Sequence, residues 1–218
     1  MPQTISEQSE QFKAAAAEHL PPDVLEVFDR SIEEFLRQGV PADSIKTGDT
    51  LEPFALDDAN GTPISLEQLV ESGPAVIVFY RGGWCPYCNL ALRTYQQELL
   101  PQLHAFGARL VAISPQSPDE SLATTEKAAL EFTVLSDPGS RLAERLGIAF
   151  DQADDVLAAQ RKLGLDLTKV NAEGAVRLPR PTVIIVDQDH TVRFVDIQPD
   201  YTARTEVADI IAALAGPT

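Results

Sequence analysis

The sequence predicts an α/β protein: a central mixed β-sheet flanked by helices, with an N-terminal helical extension over residues 1–45 ahead of a domain over residues 46–218. Three observations predict it. Apolar, largely β-branched runs at 76–80, 110–113 and 183–186 suit strands buried on both faces. Amphipathic helical patterns lie between them, so strands alternate with helices. The last buried run turns at Asp187-Gln188-Asp189-His190 into a further strand at 192–197, which makes an antiparallel hairpin.

The elements follow in order. Leu25, Phe28, Ile32, Phe35 and Leu36 recur at helical spacing after Pro21-Pro22-Asp23, with Asp23 placed to cap, and Gly39 and Pro41 end the pattern. The Ala-rich stretch before it, 12–20, is a weaker helix. This arm packs either on its own domain or on a second copy, so a homodimer is an expectation. Residues 54–56 form a short strand, Asp58-Ala59-Asn60-Gly61 supplies a turn, and Ser65 caps a helix over 66–70. The longest helix spans 86–106, with Cys88, Leu92, Tyr95, Leu99, Leu103 and Phe106 on one stripe and a kink expected at Pro101. Helices are expected at 119–130, 138–146, 151–163 and 205–214, a short strand at 133–135, and a loop at 165–179.

Composition narrows the function. A formal net charge of -16 repels phosphate backbones, so nucleic acid is not an expected partner. The longest apolar run is far too short to span a bilayer, and residues 3–11 lack the basic and apolar regions of a signal peptide, so a cytoplasmic protein is expected. The two cysteines are then better suited to catalysis or metal than to a structural staple.

Both lie in Trp84-Cys85-Pro86-Tyr87-Cys88, after a buried strand and the Gly82-Gly83 turn. Pro86 suits the first helical position, which makes Cys85 the N-cap. There the free N–H groups and the positive helix end favour thiolate. Cys88 sits one turn later on the same face and begins the apolar stripe, so it is expected to be the more buried sulfur. The spacing permits a reversible disulfide. Half a zinc site is the competing reading, but His19, His104 and His190 are widely separated, and no metal or other cofactor is expected. A plain pair of core cysteines is the other alternative.

The motif resembles the active site of the thioredoxin superfamily, and Cys-Pro-Tyr-Cys is similar to the glutaredoxin motif. The surroundings are more similar to the peroxiredoxins of the alkyl hydroperoxide reductase / thiol-specific antioxidant family. Gly48-Asp49, Phe54-Ala55-Leu56, Gly61, Ser65-Leu66, Val78-Phe79-Tyr80, Leu135-Ser136-Asp137-Pro138, Arg141-Leu142-Ala143 and Leu146-Gly147-Ile148 follow that family in order over 46–199. The resemblance implies a thioredoxin-like fold, a hydroperoxide substrate and a reductant of thioredoxin or glutaredoxin type. The chain departs from the family at two places. Arg81 stands at the usual Pro position, and Cys85 at the usual Thr position. Cys88 stands at the peroxidatic position.

Further site residues come partly from the resemblance and partly from the charge and bulk placed near the pair. Arg180 matches the family's arginine before a late apolar strand, and Arg180-Pro181-Thr182 resembles the cis-Pro-Thr that lies against the dithiol in thioredoxins. Arg81 and Arg93 are further cations for the site, with ordinary surface charge as the alternative for Arg93. Trp84, Tyr87 and Pro181 are expected to line it. Three functions compete: a thiol peroxidase, a thioredoxin- or glutaredoxin-like disulfide reductase, and a non-enzymatic redox-sensing module. The family position makes Cys88 the attacking sulfur; helix-end electrostatics make it Cys85.

Overall fold

The computed structural model describes residues 3–216. Two helices come first, α1 (Ile5–His19) and α2 (Pro22–Gln38). A hairpin of β1 (Ala55–Asp58) and β2 (Pro63–Ser65) leads into α3 (Leu66–Val70), β3 (Ala75–Phe79), α4 (Pro86–Thr94), α5 (Leu100–Leu103) and β4 (Arg109–Ser114). Then follow α6 (Pro118–Ala128), β5 (Thr133–Ser136), α7 (Arg141–Arg145), β6 (Ala149–Asp151), α8 (Asp154–Lys162), α9 (Leu167–Val170), β7 (Arg177–Pro179), β8 (Thr182–Val186), β9 (Val192–Ile197) and α10 (Val207–Ala215).

Seven strands form one mixed sheet in the order β2-β1-β5-β4-β3-β8-β9. β3 is an interior strand next to the central β4, parallel to β4 and antiparallel to β8. Its pleat explains its composition: Val76, Val78 and Tyr80 face one core with α4 and α10, while Ala75, Ile77 and Phe79 face another with α3 and α7. A strand covered on both sides has no position for a polar residue, hence the unbroken apolar run. Each such Val or Ile contributes roughly 1.5–3 kcal/mol by leaving water.

The arm packs on its own chain. Thr4 and Glu7 form a capping box at α1, and the Glu206 carboxylate accepts hydrogen bonds from the N–H groups of Ile5 (3.0 Å) and Ser6 (2.8 Å). A carboxylate at a helix N-terminus meets both free donors and the positive end of the dipole. Ile5 is fully buried, and α1 lies against α4. α2 lies against α8, with Phe35 edge-on to Phe150 at 4.6 Å. Asp23 does not cap α2: Pro21 is the N-cap, and Asp23 instead accepts from Lys162 Nζ at 2.7 Å.

Other expectations are revised. The helix expected from 151 begins at Asp154, because Ala149–Asp151 pairs antiparallel with Arg177–Pro179 inside the segment expected to be a loop. Three-residue strands are too short to display a period of two. The long helix is broken by a π-helical turn at Tyr95–Leu99, just before α5 and Pro101. Pro101 has no N–H to continue the α pattern, and the turn absorbs the mismatch. The Tyr95 hydroxyl donates to the Thr205 carbonyl at 2.7 Å and ties this turn to the start of α10.

Candidate active site

Strand β3 delivers the chain to the dithiol through Tyr80-Arg81-Gly82-Gly83-Trp84. Gly82 has φ +142, and a Cβ there would meet the Trp84 indole at 2.3 Å; a Cβ on Gly83 would lie 2.1 Å from Thr124 Oγ1. Only glycines let this turn pass between the indole and α6. Gly83 N–H donates to Gln116 Oε1, and Asn89 Nδ2 donates to the Gly83 carbonyl, both at 2.7 Å. The turn is therefore fixed from both sides. Cys85 is the N-cap of α4 and Pro86 its first residue, as expected.

Both thiols are free and both are buried, Cys85 1% exposed and Cys88 0%. Their charge is distributed against the helix-end argument. Burial pushes the Cys85 thiol well above the usual range, and its hydrogen bond to Cys88 adds to that. Burial also opposes a thiolate on Cys88, but it is outweighed. The Cys85 thiol donates to the Cys88 sulfur, the Arg204 guanidinium lies beside it, and the Arg81 N–H donates to it, so Cys88 falls well below the usual range. Negative charge is therefore favoured on Cys88 over Cys85, in keeping with the closer approach of Arg204 to the Cys88 sulfur. The Cys85 side chain makes no bond to the free N–H groups of α4.

Arg204 was not singled out from the sequence. Its Nη2 donates to Cys88 Sγ at 2.9 Å and reaches Cys85 Sγ at 3.9 Å. Its Nη1 donates to the Tyr201 and Ala203 carbonyls. Burial weakens its charge, and the adjacent thiolate restores it and more. One sequence signal existed. Arg204 stands just ahead of α10, where the helix end repels a cation, so it needed a partner elsewhere.

The other expected residues divide. Arg81 is buried, with its guanidinium 4.2 Å from the Tyr201 ring centre and 5.1 Å from that of Trp84. Tyr87 packs edge-on against Phe12 and Tyr201. Arg81, Trp84, Cys85 and Tyr87 line one cavity of about 530 Å³, whose opposite walls come from α1, α2 and α8. Arg180 is not brought to the sulfurs: its guanidinium lies over Phe35 and Phe150, at 5.6 and 5.5 Å. Pro181 is buried at the start of β8, at the same sheet end as the dithiol, since Thr182 pairs with Phe79. No cis peptide bond occurs among the described residues, so the expected cis form of Pro181 is corrected to trans. Arg93 is exposed and lines a separate cavity with Asn89 and Gln116. Among the described residues no cluster of three or more His, Cys, Asp or Glu is placed to hold a metal.

A model of the AhpC/TSA family matches residues 47–195. The chain is 31% identical over 107 residues to a chloroplastic peroxiredoxin Q of Sedum lineare, covering 49% of this chain and 56% of that one. It is 29% identical over 105 residues to peroxiredoxin Bcp of Escherichia coli, covering 48% and 65%. The matched stretch thus spans about half to two thirds of the length of such relatives. Among solved structures, it is similar to peroxidoxin BcpB from Mycobacterium tuberculosis, with TM-score 0.61 and 25% identity over 78% of this chain and 95% of that one. It is also similar in fold to a peroxiredoxin-like protein from Aquifex aeolicus, with TM-score 0.62 and 15% identity over 81% and 89%. The arm helices, Tyr201 and Arg204 lie outside the residues that the family model matches.

Proposed function

The chain belongs to the AhpC/TSA family and has a thioredoxin-like fold, and on that premise we propose that it is a thiol peroxidase that reduces hydroperoxides through Cys85 and Cys88. The observation that carries this reading is the Arg204–Cys88 charge pair beside a Cys85 thiol that lines the cavity. The extension over residues 1–45 walls that cavity, and the domain over 46–218 carries the sulfurs.

Access favours Cys85 as the attacking sulfur, because Cys85 lines the cavity and Cys88 does not. Cys85 passes its proton to Cys88 and attacks the peroxide. The S–O bond forms as the O–O bond breaks, and the departing alkoxide or hydroxide takes the proton now on Cys88. Cys85 is then a sulfenic acid and Cys88 again a thiolate. Cys88 attacks the Cys85 sulfur, the S–S bond forms, and hydroxide leaves as water with one proton from solvent. A dithiol reductant of thioredoxin or glutaredoxin type returns both thiols by exchange.

Arg204 takes the place that the resemblance gave to Arg180, holding the thiolate on Cys88. Arg180 is read as a packing residue under α2, and Pro181 as a buried strand start. Arg81, Trp84 and Tyr87 are the substrate-side residues. A dithiol returned to its reduced form by a thioredoxin-type reductant suits the reducing cytoplasm, which keeps the cytoplasmic expectation. No helix among the described residues is long and apolar enough to cross a membrane. The arm lies on its own domain and so gives no support to a homodimer, which light scattering tests directly.

Reduced protein is assayed against hydrogen peroxide and against an insulin-type disulfide. The reading expects peroxide consumption with loss of two thiols per peroxide. Negligible peroxide consumption with fast insulin reduction would overturn it in favour of a disulfide reductase.

A further inference from the structure

We propose that Tyr95 and Thr205 position the cation of the dithiol: the Tyr95 hydroxyl, through the Thr205 carbonyl, holds Arg204 on Cys88. This rests on the reading of Arg204 as the residue that favours thiolate on Cys88.

Arg204 serves only where it stands. Its Nη2 is 2.9 Å from Cys88 Sγ and 3.9 Å from Cys85 Sγ, so a small displacement changes which sulfur it favours. Its Nη1 donates to the carbonyls of Tyr201 and Ala203, which belong to its own segment. Those bonds orient the guanidinium within the segment and do not fix the segment to α4. Thr205 supplies that link. Its carbonyl accepts from Tyr95 Oη at 2.7 Å, and its Oγ1 donates to Asp196 Oδ2 of β9 at 2.8 Å.

Tyr95 is well placed for this role. It stands seven positions after Cys88, two helical turns on, along the same stripe. One rod thus carries the sulfur and the hydroxyl, and Arg204-Thr205 bridges the two. Packing does not call for the hydroxyl. Tyr95 is fully buried in an apolar cluster with Val76, Leu92 and Leu99. A phenylalanine would fill that space without taking a hydroxyl out of water, a step that is costly unless the group is bonded. The π-helical turn also begins at Tyr95, and such turns recur at functional sites.

The test uses the reduced full chain. Thiolate absorbance is titrated against pH in the wild type, Tyr95→Phe, Arg204→Met and the double variant, with peroxide consumption and thermal unfolding measured alongside. Tyr80, Arg81 and Cys85 also face Cys88, and none of these variants changes them. Tyr95→Phe keeps the ring and removes one hydrogen bond. We expect the thiolate midpoint to rise by about half a unit to one unit, and hydrogen peroxide consumption to fall about fivefold, the scale of one lost bond. The double variant should titrate as Arg204→Met does, because Tyr95 acts through Arg204. A residue that serves the fold alone would lower thermal stability and leave the midpoint in place. If Tyr95→Phe does not fold by circular dichroism, Thr205→Val is used; it keeps the shape and removes the bond to Asp196, and the same rise is expected. An unchanged midpoint in the variant used, with a raised one in Arg204→Met, overturns the proposal alone. Additive shifts in the double variant do the same. An unchanged midpoint in Arg204→Met overturns the charge pair and the proposal with it. The expected shifts without peroxide consumption by the wild type overturn the peroxidase reading and leave the positioning role standing.

Discussion

Arg204 Nη2 lies 2.9 Å from Cys88 Sγ, although the two residues stand 116 positions apart. The contact joins the first turn of α4 to the segment just before α10. It favours negative charge on the Cys88 side of the dithiol. Replacing Arg204 with Met keeps the bulk and removes the donors. Hydrogen bonds to a charged group are worth about 1.5–3 kcal/mol, so thiolate formation at Cys88 and peroxide consumption should fall about ten- to a hundredfold. Thiolate absorbance near 240 nm, followed against pH, measures the first; an unchanged titration counts against the pair.

The same charge distribution fixes a pH dependence. Cys88 is lowered, so near neutral pH the folded chain has lost a proton that the unfolded chain keeps. Unfolding then takes up a proton, and the contribution of the pair to stability rises with pH. Above the unfolded thiol value, about 8.5, the raised Cys85 still holds its proton in the fold while the unfolded chain has lost both. The contribution then falls. Denaturant titrations of the reduced protein between mildly acidic and alkaline pH should show this maximum relative to Cys85→Ser/Cys88→Ser, and a monotonic difference would contradict it.

Single cysteine variants separate attacker from resolver. Cys88→Ser should yield a sulfenic acid on Cys85 that a dimedone-type reagent traps. Cys85→Ser should consume almost no peroxide. Labelling confined to Cys85→Ser would reverse the assignment and restore the family position.

Glu206 anchors the arm through Ile5 and Ser6. Glu206→Gln keeps the shape but loses the charge, at a cost of about 1 kcal/mol. Amide exchange should speed up over α1 before it changes in β3. Equal acceleration in both would mean that the arm is not a separately opening unit.

Gly83→Ala would drive a methyl group into Thr124. Overpacking of this kind costs about 1–3 kcal/mol. Thr124→Ala removes the clashing atoms, so the double variant should recover much of the loss relative to Thr124→Ala alone. Additive losses in thermal unfolding would show that strain lies elsewhere.

The parts of the fold that were legible were those whose pattern is long and covered on both sides. β3, β4 and β8 carry continuous apolar runs because helices bury both faces. β6 and β7 were not legible, since three residues display no period and their pairing is a tertiary event. The dithiol and its place at a helix start were read from local spacing alone. Its charge was not, because Cys85 is desolvated and makes no bond to the helix end, while a remote arginine reaches Cys88. Arg180 had a motif match, but its guanidinium lies on the two aromatic rings of α2 and β6. The apolar stripe of α2 was plain in the sequence. That half of it would wall a cavity rather than fill a core depends on where α8 stands.

The Arg204–Cys88 contact also bears on how the oxidised protein is recycled. A disulfide carries no charge, so oxidation strands the guanidinium beside two neutral sulfurs in a buried place. A buried cation without its counter-ion is costly. The dithiol state is thereby favoured over the disulfide, which raises the reduction potential of the couple. An arginine that charges the sulfur for one half of the cycle would, in the other half, act as a spring that returns the electrons' acceptor to its starting state.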